Sequence, residues 1–199
     1  MAEGNLTPAA ERLLDSAMRL FADKGYDRTT VGEIQEAAGL TFGSGALYKH
    51  FPTKEAVLAA GVDRFVEAAR TERRVLTELD DEPFVDALHA IAQLAMSAFD
   101  REKDALRIAW RDLEDFPDLQ EKVRSDRIRA TFDDFSSWLR RQADLGRLVL
   151  DDSQAVAAVA LSSLAFFQLL KHLMHDAPGG ISEERFVDAW TTLIARSTT

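Results

Sequence analysis

At 199 residues and 22.2 kDa, the chain is long enough for a proper hydrophobic core, in one medium domain or in a small domain resting on a larger one. Cysteine is absent, which excludes disulfides, thiolate metal sites and thiol redox chemistry and makes a reducing, cytoplasmic setting the natural reading. The formal charge of −10 excludes a protein that coats nucleic acid through bulk electrostatics; DNA contact would need a few placed residues, since residues 1–56 carry 6 Lys and Arg against 8 Asp and Glu.

The opening MAEGNLTPAAERLL has no basic region followed by an apolar stretch, so neither a signal peptide nor a membrane anchor is expected. Apolar residues then recur at spacings of three and four, and no stretch alternates over strand length, which predicts an all-α fold. The first helix begins near Thr7, with Pro8 in its first turn, and carries Leu13, Ala17, Leu20 and Phe21 on one face before Gly25 stops it. Thr30 and Glu33 make a capping box for a short second helix that bears Val31, Ile34 and Ala38 and ends at Gly39. A third short helix, Ala46-Leu47-Tyr48-Lys49-His50-Phe51, is cut off by Pro52, and Thr53 caps a long fourth. Pro83 opens a helix with Phe84, Leu88, Ile91 and Leu94, and a shorter one follows with Leu106, Trp110 and Leu113. Pro117 restarts the chain into a long helix with Leu119, Val123, Phe132, Phe135 and Leu139 inward and Gly146 as its stop. Two last helices flank the loop at residues 176–180. The apolar window from Ala155 to Leu170, sixteen residues, falls short of the roughly 20 needed to span a bilayer and contains Ser162, Ser163 and Gln168.

A short capped helix, a glycine-bearing turn and a second short helix over residues 30–51 are the ingredients of a helix-turn-helix. The residues themselves resemble the TetR family of transcriptional regulators over the first 60 positions, in LLDSAMRLFADKGYDRTTVGEIQEAAGL and then GALYKHFPTKEAVL. The resemblance rests on Leu20-Phe21 with Gly25-Tyr26, the Thr30 cap, Ala38-Gly39, and Leu47-Tyr48 leading into Phe51-Pro52-Thr53-Lys54-Glu55. It implies an all-α protein of about nine helices: a three-helix helix-turn-helix domain over residues 1–54, joined by a long helix to a ligand-binding and dimerisation domain over residues 55–199. It further implies a DNA-binding transcriptional regulator without catalysis or cofactor, a homodimeric repressor released from a palindromic operator by a small apolar ligand. In such a protein Leu47 and Phe51 pack inward, Tyr48, Lys49 and His50 face the duplex, and Thr30 and Lys54 hold phosphates at helix starts.

Two departures from the family pattern stand out. The interval from Gly39 to Leu47 is two residues longer than usual, which brings Thr41, Phe42, Ser44 and Gly45 into the set of candidate DNA contacts. Phe42 can press on a thymine methyl or fold back as a hydrophobic staple. Gln35 stands where relatives usually carry alanine, and the longer turn and the longer side chain are expected to compensate one another.

In the second domain, Ala155 to Leu170 must be covered on two sides, by its own domain and by the same helix of a second subunit. Leu161, Leu164, Phe167, Phe186 and Trp190 are the expected dimer residues. The family's cavity between helices makes Met96, Trp110, Phe135, Trp138 and Phe166 the expected ligand lining. His172 and His175, three apart on one helix, have no cysteine and no glutamate-histidine pair to complete a metal site, so no metal is expected. The competing readings are a helical bundle without DNA binding: a di-metal enzyme or an interaction adaptor.

Overall fold

The computed structural model describes residues 6–174 and 176–197, and no strand occurs among them. The helices are α1 (Pro8–Lys24), α2 (Val31–Ala37), α3 (Lys54–Arg73), α4 (Val75–Glu78), α5 (Phe84–Arg101), α6 (Lys103–Arg111), α7 (Pro117–Lys122), α8 (Ala130–Asp144), α9 (Ser153–Met174) and α10 (Glu183–Ser197). The chain divides into two compact units, residues 1–67 with 104–123, and residues 68–103 with 124–199.

Most helix ends lie where the sequence marks them, because capping is local chemistry. Thr7 Oγ1 accepts from Ala10 N–H at 3.3 Å with Pro8 in the first turn of α1, and Gly25, at φ 96°, ends that helix. Thr53 Oγ1 accepts from Ala56 N–H at 3.0 Å to start α3, and Asp152 accepts from the N–H groups of Gln154 and Ala155 at 3.0 Å to start α9. Two segments differ. The third short helix is a single 3₁₀ turn, Ala46–Lys49, with His50 and Phe51 N–H both returning to Leu47 O at 2.9 Å before Pro52. The long helix after Pro117 is interrupted by a π-helical segment, Val123–Arg129. Its wider turn shifts the inward face: Val123 enters the core of the first unit, whereas Phe135 and Leu139 enter that of the second.

In the first unit, Leu13, Leu14, Ala17 and Phe21 of α1 close over Ile34, Leu47, Val57 and Leu58, and Ile108 and Leu113 complete this core. Gly61 lets α1 and α3 meet, since a Cβ there would stand 2.2 Å from Met18 Sδ. In the second unit, α5, α8, α9 and α10 share a core of Leu88, Met96, Phe135, Trp138, Leu164, Phe167, Val187 and Trp190. Trp138 stacks on Phe84 and Phe135, each at 5.7 Å between ring centroids, and Trp190 Nε1 donates to Ala160 O at 3.0 Å.

At 22 residues, α9 is longer than the apolar window inside it, and over Ser153–His172 it is long and apolar enough to cross a membrane by length and composition. Only 28% of that window is buried inside the protomer. Ala157, Ala160, Leu164 and Phe167 supply the inner face, while Val159 and Phe166 lie open at 65% and 59% exposure.

Candidate nucleic-acid interface

The reading head is built from α1, α2, the 3₁₀ turn and the start of α3. Leu47, with no exposed surface, and Phe51 anchor the 3₁₀ turn in the core, so the residues between them are turned outward: Tyr48, Lys49 and His50 are all exposed. A phenol, an ammonium and an imidazole thus stand side by side on one short segment, a set able to meet phosphate oxygens and base edges. His50 Nδ1 lies 3.4 Å from Thr7 Oγ1.

Thr30 forms the full capping box with Glu33: its N–H and hydroxyl both donate to Glu33 Oε2 at 2.8 Å, and its hydroxyl accepts from Glu33 N–H at 3.3 Å. The hydrogen bond from Lys24, together with those from Thr30, holds the Glu33 carboxyl down to about 2 from its ordinary 4.5.

Lys54 does more in the structure than its motif suggests. Its ammonium donates to Tyr26 O at 2.9 Å and Thr29 O at 3.0 Å and sits 4.0 Å above the centre of the Tyr26 ring. It therefore braces the α1–α2 turn against the start of α3, with one N–H left over from three. Thr29, buried and donating to Gly25 O at 2.8 Å, ties the same turn internally. Sequence reading passed over Thr29, whose role shows in the local signal of a Thr four residues after a helix-ending Gly.

The turn before the 3₁₀ segment is organised by Gln35, which is fully buried. Its Nε2 donates to Thr41 O at 3.2 Å and to Ser44 Oγ at 3.4 Å, and its Oε1 accepts from Leu47 N–H at 3.4 Å. One amide thus reaches Thr41 and Ser44 in the turn and Leu47 at its end. Gly45, at φ 68°, turns the chain into the 3₁₀ turn. Phe42 folds back: a Cβ on Gly32 would fall 2.4 Å from its ring, yet the ring stays 63% exposed. Thr41 and Ser44 are exposed beside it.

The expected sensor residues separate. Met96, Phe135 and Trp138 meet in the core of the second unit, all within 1% of complete burial. Trp110 belongs to the first unit and is 72% exposed, and Phe166 lies on the open side of α9. Of the expected dimer residues, Leu164, Phe167 and Trp190 are buried within the protomer, whereas Leu161 and Phe186 are half-buried. The exposed apolar side chains of this pair of helices are instead Val159, Phe166 and Leu193. His172 pairs with Asp100 at 3.1 Å, His175 lies outside the described residues, and no metal-holding group of three or more His, Asp or Glu side chains occurs among the described residues.

Known proteins resemble the chain along most of its length. The family model for bacterial regulatory proteins of the tetR family matches residues 13–60, and the model for the AefR-like transcriptional repressor C-terminal domain matches residues 86–194. The HTH-type transcriptional regulator YvkB of Bacillus subtilis is 26% identical over 114 residues, covering 57% of each chain. The HTH-type transcriptional repressor KstR2 of Rhodococcus jostii is 36% identical over 88 residues, covering 43% of this chain and 42% of its own. The chain thus spans about half the length of these curated relatives. Among solved structures, a putative TetR-family regulator from Mesorhizobium loti superposes with a TM-score of 0.75 at 18% identity, covering 95% of this chain and 96% of its own. The fatty acid degradation regulator FadR from Bacillus halodurans gives 0.74 at 16% identity, covering 96% and 97%.

Proposed function

The chain belongs to the TetR family of bacterial regulatory proteins, and on that premise we propose that it is a homodimeric, non-enzymatic transcriptional repressor whose residues 1–54 read a palindromic operator and whose residues 55–199 sense a ligand and dimerise. The observation that carries this reading is the exposed trio Tyr48, Lys49 and His50, held outward by the buried Leu47 and Phe51. Lys49 and His50 meet phosphates, Tyr48 and the turn residues Thr41, Phe42, Ser44 and Gly45 face base edges, and Thr30 and Lys54 flank them at helix starts. Two copies present two such heads about one helical turn apart, which sets the spacing of the half-sites. Working without disulfides, the protein acts in the cytoplasm.

The open stripe of Val159 and Phe166 on α9, with Leu193 on α10, supports dimerisation through these helices. The ligand is a small apolar molecule entering the core around Met96, Phe135 and Trp138. Supporting this, Trp138 Nε1, Gln168 Oε1 and Thr191 Oγ1 are buried in the second unit without a hydrogen-bond partner among the described residues, polar tips that a ligand can satisfy. Within the first unit, Arg111 of α6 donates to the α1 carbonyls of Phe21 and of Ala22, the latter at 3.0 Å, which ties α6 to the reading head.

Selection of bound duplexes from a random DNA pool, followed by gel retardation, tests the reading. Enrichment of a palindrome that Tyr48→Ala fails to retard is the expected outcome. A pool that stays random after repeated rounds contradicts it.

A further inference from the structure

Phe42 stands at the tip of a tight turn on the reading head. Ser44 N–H closes that turn on Thr41 O at 3.2 Å, and Gly43 follows Phe42 at φ 72°. The buried Gln35 amide donates to Thr41 O at 3.2 Å and to Ser44 Oγ at 3.4 Å, so the chain is pinned on both sides of Phe42. The ring lies against α2 at Gly32, where a Cβ would overlap its edge. Gly32 is inside α2 and outside the left-handed region, so its backbone does not call for glycine, and glycine inside a helix is unfavourable relative to alanine. What calls for it is room for the ring. Yet the ring stays 63% exposed, on the segment that leads through Gly45 into the 3₁₀ turn carrying the exposed Tyr48. A pinned turn and a glycine in α2 thus hold still a phenyl group that faces outward.

A phenyl ring has no donor or acceptor with which to tell base edges apart. The apolar feature it can select in a major groove is the C5 methyl of thymine. Given a reading head that lies against the duplex, as the proposed function requires, we propose that Phe42 is a specificity-determining residue that packs on one thymine methyl in each operator half-site. Gly32 is its positioning residue: it seats the ring and touches no base through a side chain of its own.

Deoxyuridine tests this, because it differs from thymidine by that methyl alone. The palindrome selected from the random pool is resynthesised with deoxyuridine at each thymidine in turn, in both half-sites together. Its affinity is measured by fluorescence anisotropy for the full wild-type chain, Phe42→Ala and Gly32→Ala. For the wild-type chain, one position is expected to weaken binding about fifteenfold, about fourfold for the buried methyl of each half-site. Phe42→Ala should bind the thymine and uracil operators alike, at the affinity of the wild-type chain for the uracil one. Gly32→Ala keeps the phenyl group but fills its seat, and should lose the same discrimination with helical circular dichroism retained. A palindrome that the wild-type chain retards and Tyr48→Ala does not, bound equally well with uracil at every position, overturns this inference and leaves the reading head standing. A pool that yields no palindrome overturns both. Discrimination that persists in Phe42→Ala or in Gly32→Ala overturns the role given to that residue.

Discussion

Gln35 supplies, from one buried amide, hydrogen bonds that the turn before the 3₁₀ segment would otherwise leave unmade. Truncating it strands the buried N–H of Leu47 and opens a small void beneath the 3₁₀ turn. Gln35→Ala is therefore expected to lower the unfolding free energy by about 2 kcal/mol in a denaturant titration and to weaken operator binding in parallel. An unchanged midpoint would show that the turn holds itself. Glu33 carries a pH signature at the same scale. Its folded carboxyl is depressed to about 2 from 4.5, so its contribution is complete above 4.5 and is lost as pH falls through 2. Glu33→Gln should flatten the acid limb of the thermal stability profile over that window and leave profiles above pH 6 parallel. The anchors Leu47 and Phe51 and the outward trio between them are legible through the family resemblance, and the i, i+4 spacing of the two anchors just before a proline stop agrees with it because that signal is local. The bracing by Lys54 is not legible, since its two carbonyl partners lie 25 and 28 residues away.

Among the elements, those marked by caps and breakers follow the sequence closely, and those decided by packing do not. The π segment carries no local signal. It is held where Arg127 pairs with Glu102 in a nearly dry setting, 14% and 11% exposed. Burial pushes the Glu102 carboxyl up in spite of Arg127, and burial pulls the Arg127 guanidinium down in spite of Glu102, so desolvation outweighs attraction for both. Arg127→Met takes from a buried carboxylate its hydrogen-bonded cation and leaves only the weaker influence of Arg101. The expected loss is about 3 kcal/mol near pH 7, shrinking as pH falls and Glu102 takes up a proton; a pH-independent loss would contradict this origin. Helix α9 shows the other limit. Its apolar positions run nearly all round, so hydropathy does not say which side meets the protomer's own core. The inner side proves to be Ala157, Ala160, Leu164 and Phe167, one step round from Val159 and Phe166. Trp110 is hidden from sequence reading for a similar reason: α6 buries Ile108 and leaves the indole outside.

At the scale of the whole molecule, a monomer leaves Val159, Phe166 and Leu193 open to water, each at about 60% exposure or more. Burial of such side chains is worth roughly 1.5–3 kcal/mol apiece, so a charge on that face should separate subunits without unfolding them. Light scattering at micromolar concentration is expected to show a dimer for the wild-type chain and a monomer for Phe166→Asp, with helical circular dichroism retained in both. A Phe166→Asp chain that remains dimeric would place the interface elsewhere.

The most direct test of the reading head is the salt dependence of operator affinity for the wild-type chain and Lys49→Gln, with the palindrome selected above. Lys49 contacting one phosphate per half-site predicts that the slope of log K against log salt becomes shallower by about 2 in the dimer, with weaker binding at every salt concentration. A slope and an affinity that Lys49→Gln leaves unchanged would mean that the exposed face of residues 48–50 does not lie against DNA.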